Sequence, residues 1–295
     1  MGVGEDFALF KDKYNIDQAL ITSISQRYRR ITRQLNQDFW NTASEAAHSF
    51  YVGSYGRDTA ARGISDLDIA FVLPYQVYAQ YHAYTQNGQS ALLQAVKRSI
   101  QKTYSTSESF GDGQVVVITF TDGIKFEILP TFEHTDGTGL IYPNANNGGS
   151  WKICNPRAEI KAVKLRSDAT NRNLKLLCRM MRVWRDYNSV PMSGILIDTL
   201  AYQFIENHEF RDKSFFCHDY IARDFFQHVS QQNPTQLVWR APGSASHVSR
   251  TGPFERKAAT AYQASLAAIQ YNDDRYAWSR RTKWREIFGP LYPAP

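Results

Sequence analysis

The stretch Gly53-Ser54-Tyr55-Gly56-Arg57-Asp58-Thr59-Ala60-Ala61-Arg62-Gly63-Ile64-Ser65-Asp66-Leu67-Asp68-Ile69-Ala70-Phe71-Val72-Leu73-Pro74 decides the fold. Phe50 to Val52 reads as a short strand. Gly53-Ser54 then turns the chain into a helix whose unsatisfied N–H groups, together with the Ser54 hydroxyl, suit phosphate oxygens. From Leu67 the run Leu-Asp-Ile-Ala-Phe-Val-Leu is apolar and partly β-branched, which predicts a buried strand ended by Pro74. A side-chain period of two places Asp66 and Asp68 on one face of that strand. Two carboxylates so close repel each other, and a divalent cation between them removes the conflict. A phosphate-facing turn followed by such a pair predicts metal-dependent chemistry on a nucleoside triphosphate.

The quoted stretch resembles the motif of the DNA polymerase beta-like nucleotidyltransferases, and that resemblance implies a third carboxylate on a neighbouring strand. Gln114 to Phe120 and Ile124 to Leu129 are two apolar runs separated by Thr121-Asp122-Gly123, a hairpin turn of the Asp-Gly kind. On the second run Phe126 and Ile128 share one face, while Lys125, Glu127 and Leu129 share the other. Glu127 is therefore the expected third metal ligand. Asp122 is its rival, placed in the turn where its side chain is expected to serve turn hydrogen bonds.

The chain has 295 residues, enough for two domains or one large one, and Lys plus Arg exceed Asp plus Glu by 34 to 28. A net charge of +6 suits an anionic substrate without requiring a long nucleic acid. No run of about 18 apolar residues suggests a membrane span, and no basic-then-apolar leader is evident, so a cytoplasmic protein without membrane contact is expected. Cys154, Cys178 and Cys217 are odd in number and widely spaced, which predicts neither a disulfide framework nor a zinc site.

Leu20, Ile24, Tyr28, Ile31, Leu35 and Phe39 lay an apolar stripe along one long helix, with Arg27, Arg29, Arg30 and Arg33 on its polar side. Gln76 to Tyr104 reads as helical with a break near Asn87-Gly88, and His134 to Ser150 as a polar loop at a domain boundary. Domains of 1–150 and 151–295 follow. In the second, Asn155-Pro156 starts a helix, and another runs from about Asn171. Its apolar stripe is Leu174, Leu177, Met181 and Trp184, so Lys175, Arg179 and Arg182 form one basic face. Ser193 opens the next helix, further helices follow to Trp284, and Ala241 to Gly252 reads as a loop.

The Gly-Ser turn, its spacer and the Asp-hydrophobic-Asp strand resemble the DNA polymerase beta-like nucleotidyltransferases. Pro156 to Ile160, Asn173 through Arg185, Met192-Ser193-Gly194, Asp198 to Ala201 and Trp284 to Gly289 sharpen the resemblance to the bacterial cyclic-oligonucleotide synthases, the CD-NTases. The resemblance implies an α+β fold: a nucleotidyltransferase core of mixed sheet and helices packed on a helical C-terminal domain, with a long N-terminal helix spanning both. It implies that Gly53, Ser54, Ser193 and Arg182 bind the triphosphate, with Arg179 and Lys175 as alternatives to Arg182. The family more often has Asp where Glu127 stands. Two Mg²⁺ ions, or Mn²⁺ in their place, are implied on Asp66, Asp68 and Glu127. ATP, GTP or a pyrimidine triphosphate would be joined and commonly cyclised, with pyrophosphate released, into a messenger that switches on an antiphage (CBASS) effector. Three alternatives stay open: transfer to an RNA end or a small acceptor, linear oligonucleotide synthesis activated by double-stranded RNA, and a scaffold that binds nucleotides or RNA without catalysis.

Overall fold

The computed structural model describes residues 2–105 and 107–295. They gather into two compact units, a sheet unit of Asp17–Gly56 and Gly63–Arg157, and a helical unit made of the chain through Ile16, Arg57–Arg62 and Ala158–Pro295. The helical unit opens with α1 (Val3–Tyr14). The sheet unit carries α2 (Gln18–Trp40), β1 (Ser49–Tyr51), α3 (Gly53–Gly56), β2 (Asp66–Val72), α4 (Tyr75–His82), α5 (Gly88–Thr103), β3 (Glu108–Asp112), β4 (Val115–Thr119), β5 (Lys125–Glu133), β6 (Leu140–Asn144) and β7 (Ser150–Cys154). The helical unit resumes with α6 (Pro156–Ala169), α7 (Asn173–Tyr187), α8 (Gly194–Ile205), α9 (His218–Ser230), β8 (Val238–Arg240), β9 (His247–Ser249), α10 (Glu255–Ile269) and α11 (Ala277–Phe288). The fold is α+β. In place of one N-terminal helix spanning both units, α1 belongs to one and α2 to the other.

The sheet runs β1-β2-β5-β4-β3, with β6 and β7 continuing from the far end of β5. Only β2 and β5 among these pairs are parallel. Alternation along β2 decides its faces. Leu67, Ile69 and Phe71 enter a core shared with Ile24, Ile31 and Leu35 of α2 and with Leu92, Leu93 and Val96 of α5. Ala70 and Val72 point the other way and pack with Val52 and Leu140. Asp66 and Asp68 share that second face. Capping fixes the two helices: the Asp17 side chain accepts from Leu20 N at 2.8 Å, and that of Asn87 from Ser90 N at 2.9 Å.

The expected polar loop from His134 to Ser150 contains a strand. Leu140-Ile141-Tyr142-Pro143-Asn144 pairs with both β5 and β7, because four apolar side chains inside a Gly- and Asn-rich stretch still have sheet neighbours to cover them. The expected loop from Ala241 to Gly252 likewise includes β9, which pairs with β8 as a short hairpin.

The helical unit has its own core. Phe7, Phe10 and Tyr14 of α1 pack with Leu177, Met181 and Trp184 of α7 and with Trp284 and Phe288 of α11. The Phe7 and Trp284 rings meet edge to face with centroids 5.1 Å apart. Asp6, fully buried on α1, bonds Arg280 Nη2 at 3.2 Å and Arg281 Nη2 at 2.8 Å. That pairing holds α1 against α11.

Candidate active site

The parallel register of β2 and β5 sets Asp66 opposite Lys125 and Asp68 opposite Glu127. Opposite residues on paired strands stand on the same face about 4.8 Å apart. Asp66, Asp68 and Glu127 therefore share one face, the one away from α2 and α5. Glu127 is half-buried, and burial followed by the charges of Asp68, Asp66 and Asp112 pushes its carboxyl above the usual carboxylate range. Lys125 opposes that push and does not cancel it. Asp112, at the end of β3, is an acidic neighbour that the sequence does not single out, because strand order rather than spacing brings it there.

The Gly53 turn sits directly on Asp68. Val52 N donates to Asp68 O at 2.9 Å, and Gly56 N donates to Val52 O at 2.9 Å, closing the single turn of α3. Gly53 has φ +59°, and a Cβ added there would lie 1.8 Å from Asp68 Oδ2. Only glycine meets both demands, the left-handed backbone and the close approach of a carboxylate. Ser54 follows at the first turn. The glycine, the serine and the second aspartate are thus one local assembly, although Asp68 lies 15 positions after Gly53 along the chain.

Asp122, the rival third ligand, is engaged elsewhere. Its carboxylate takes a two-pronged contact from Arg27 at 3.1 and 2.7 Å and accepts from Ile124 N at 3.2 Å. The Arg27 guanidinium holds its carboxyl below the usual range and also lies over the Phe120 ring at 4.3 Å. Arg27 is therefore not part of an open basic face.

The three basic residues of the expected face on α7 divide between two carboxylates. Arg182 is the one the resemblance offers first for the triphosphate, and in the structure it is engaged by protein acceptors. Its side chain is 5% exposed and bonds Asp198 Oδ1 at 2.6 Å, Asp198 Oδ2 at 3.0 Å and Gly194 O at 3.1 Å. Asp198 is fully buried and also receives Arg57 Nε at 3.0 Å and Thr59 Oγ1 at 2.8 Å. Burial alone would raise the Asp198 pKa, but Arg182 and Arg57 beside it hold it well below the carboxylate range. Arg57 reaches onward to Glu159 at 3.1 Å. Both terminal nitrogens of Arg182 thus face protein acceptors within the helical unit. Arg179 and Lys175 instead face Asp58, a residue absent from the sequence expectations. Ser193 is the N-cap of α8, its side chain accepting from Leu196 N at 3.3 Å. Cys217 precedes α9 and His218 opens it; His218 is buried and meets Asn173 Oδ1 at 2.9 Å.

The donor set suits a hard cation, since all three carboxylates offer oxygen. Among the described residues, no group of three His, Cys, Asp or Glu side chains is gathered closely enough to enclose one ion. What the register supplies is the adjacent pair Asp68 and Glu127, with Asp66 one step along the same face. Among the described residues no helix is long and apolar enough to cross a membrane.

A mixed sheet with a Gly-Ser turn against paired carboxylates, in a chain that continues into a helical unit, defines a nucleotidyltransferase. The family model of the second messenger oligonucleotide or dinucleotide synthetase domain matches residues 1–166, and the chain belongs to that family. The solved structure of CdnC from E. coli MS115-1 with ATP is similar over 100% of this chain and 99% of that one, at 14% identity and a TM-score of 0.70. CdnG from Bradyrhizobium diazoefficiens, a CD-NTase solved with GTP, is similar over 97% and 94%, at 13% identity and 0.68. The cyclic AMP-GMP synthase DncV of Vibrio cholerae, solved with the linear intermediate pppA(3',5')pG, is similar over 99% and 96%, at 13% identity and 0.70. Among curated proteins no match is found.

Proposed function

We propose that this member of the family joins nucleoside triphosphates on the β2–β5 face, releasing pyrophosphate and closing the product into a cyclic di- or oligonucleotide. The observation that carries the reading is the register that sets Asp68 beside Glu127 while Gly53 leaves room for the Asp68 carboxylate. Asp66, Asp68 and Glu127 would hold two magnesium ions, or manganese in their place; the fit rests on three oxygen donors on one face and on the glycine that lets the Asp68 carboxylate sit against the turn. Bound there, the metal would supply the charge that activates a ribose hydroxyl and neutralises the leaving pyrophosphate. Gly53 and Ser54 would hold the polyphosphate of the donor, and Arg179 and Ser193 are assigned to the same role from the helical unit. Most of the rate enhancement then comes from positioning and charge stabilisation.

ATP and GTP, each held by a similar solved protein, are the first substrates to test, with pyrimidine triphosphates next. The test incubates the purified chain with all four labelled triphosphates and Mg²⁺ or Mn²⁺ and identifies products by mass. A phosphatase-resistant oligonucleotide is expected. Product that appears only after an RNA or small acceptor is added would replace this reading with transfer to that acceptor. A cytoplasmic effector that responds to the product completes the proposal.

A further inference from the structure

Lys175 and Arg179 stand one turn apart on α7 and converge on a single carboxylate. Lys175 Nζ lies 3.1 Å from Asp58 Oδ2. Arg179 Nη2 donates to Asp58 Oδ1 and, at 3.1 Å, to Asp58 O, while Nη1 donates to Asn15 Oδ1 at 3.1 Å. The two cations are largely covered, with side chains 15% and 13% exposed, whereas the Asp58 side chain is 47% exposed.

Two positive charges thus meet one negative charge, and one donor is left over. Arg179 Nε is buried and has no acceptor. Asp58 engages Arg179 through Nη2 alone, so the fork that a guanidinium offers at Nε and Nη2 is only half used. A phosphoryl group has more oxygens and more charge than a carboxylate and fits that fork with two parallel bonds. Asp58 is also held at φ +58°, a left-handed conformation that side chains other than glycine, Asn and Asp rarely take. It lies in Arg57–Arg62, which the helical unit holds through Arg57 and Thr59 on Asp198. A half-exposed carboxylate in such a backbone regains water readily when its partners are taken.

We propose that Asp58 is a resident anion on the Lys175–Arg179 pair, displaced when a linear triphosphate binds. The proposal rests on the assignment of Arg179 to the triphosphate and adds the competitor that lowers the apparent affinity of that seat.

Calorimetric titration of the full chain with inorganic tripolyphosphate, in chelator and without nucleotide, tests it. Asp58→Asn should bind about 3- to 10-fold more tightly than the parent, the range that follows from removing one partly exposed ion-pair partner. The gain should vanish when Arg179→Gln is added. Affinity that is unchanged or weaker in Asp58→Asn overturns the proposal and makes Asp58 a support for the two cations. Should Asp58→Asn lower the melting temperature, Asp58→Gly removes the same carboxylate in a residue suited to the positive φ, and the same gain is expected of it. Repeating the titration with ATP separates the sources of the phosphate: a matching gain ties the seat to nucleoside triphosphates, and a gain confined to tripolyphosphate overturns the substrate's placement there. These titrations need neither metal nor turnover. A gain in Asp58→Asn alongside product formation that survives loss of Asp66 and Asp68 would therefore sink the catalytic assignment and leave Asp58 in place.

Discussion

The sheet unit and the helical unit treat charge in opposite ways. On the β2–β5 face three carboxylates share one surface, half-buried to exposed, and the two aspartates raise the cost of ionising Glu127. Around Asp198, two arginines and a threonine surround one carboxylate that is fully buried and satisfied. Like charges kept together are unfavourable for folding, and a bound cation would offset that cost. Opposite charges sealed inside satisfy one another and leave nothing over for a ligand. The contrast separates Arg182, whose charge is spent on a buried protein partner, from the face of aspartates and a glutamate proposed to hold the metal ions.

The largest effect that would break this contrast is on activity. Asp66→Asn together with Asp68→Asn should abolish oligonucleotide formation and leave the melting temperature at or above that of the parent, since relieving like-charge repulsion does not harm the fold. Product formed at near the parental rate by this double variant would show that the acidic face is not catalytic. A steep drop in melting temperature would show instead that these carboxylates hold the sheet together.

Asp198→Asn should have the reverse signature. Removing that charge leaves Arg182 buried without its ion-pair partner and Arg57 with Glu159 alone, a loss of about 3 to 5 kcal/mol of stability for a broken buried pair. Chemical denaturation monitored by circular dichroism measures it. Because the folded-state pKa of Asp198 is depressed, its contribution is present above the unfolded carboxylate range and is lost as pH falls through the folded value. The variant and the parent should therefore converge in strong acid. A loss well under about 1 kcal/mol, the scale of an exposed pair, would mean that water reaches the pair.

Glu127→Asp sharpens the contrast from the catalytic side. Its carboxylate is placed by the β2–β5 register, and shortening it by one methylene withdraws it by roughly 1 Å, a misplacement that can cost on the order of a hundredfold in rate. Glu127→Gln should be as inactive as a variant lacking Asp68. Full activity in Glu127→Gln would exclude it as a ligand, and the Arg27 and Ile124 contacts of Asp122 make Asp112 the next residue to test.

Which of these features the sequence discloses follows from how local they are. Period two in Leu67 to Leu73, the Asp-Gly hairpin and the apolar stripe of α2 act within a few residues, and the strand faces, β4–β5 and α2 follow from them. The Gly53 turn was readable, but its fit to Asp68 depends on the antiparallel pairing of β1 with β2. Strand β6 is hidden by composition, since its pairing partners rather than its neighbours make it a strand. Arg182 shows the limit most plainly. Helical spacing places Lys175, Arg179 and Arg182 on one face, yet Asp198 on α8 claims the last and Asp58 the first two, and neither contact has a signal in spacing.

The smallest expected effect concerns a carboxylate that fits neither side of the contrast. Asp219 on α9 is fully buried; Oδ1 accepts from Tyr220 N at 2.9 Å, while Oδ2 is buried with no partner. Arg223 and Arg280 are too weak an influence to offset burial, which pushes the carboxyl up to about 6. A folded-state pKa raised above the unfolded value means that the favourable contribution is fully present below about 4 and is lost as pH rises through about 6. Asp219→Asn keeps the acceptor for Tyr220 N and cannot ionise. At pH 7.5 it should be more stable than the parent by on the order of 2 kcal/mol, and near pH 4 the two should be equal. Melting temperatures of both proteins across pH 4 to 8 test this. Parallel curves would mean that Asp219 is ionised and solvated throughout.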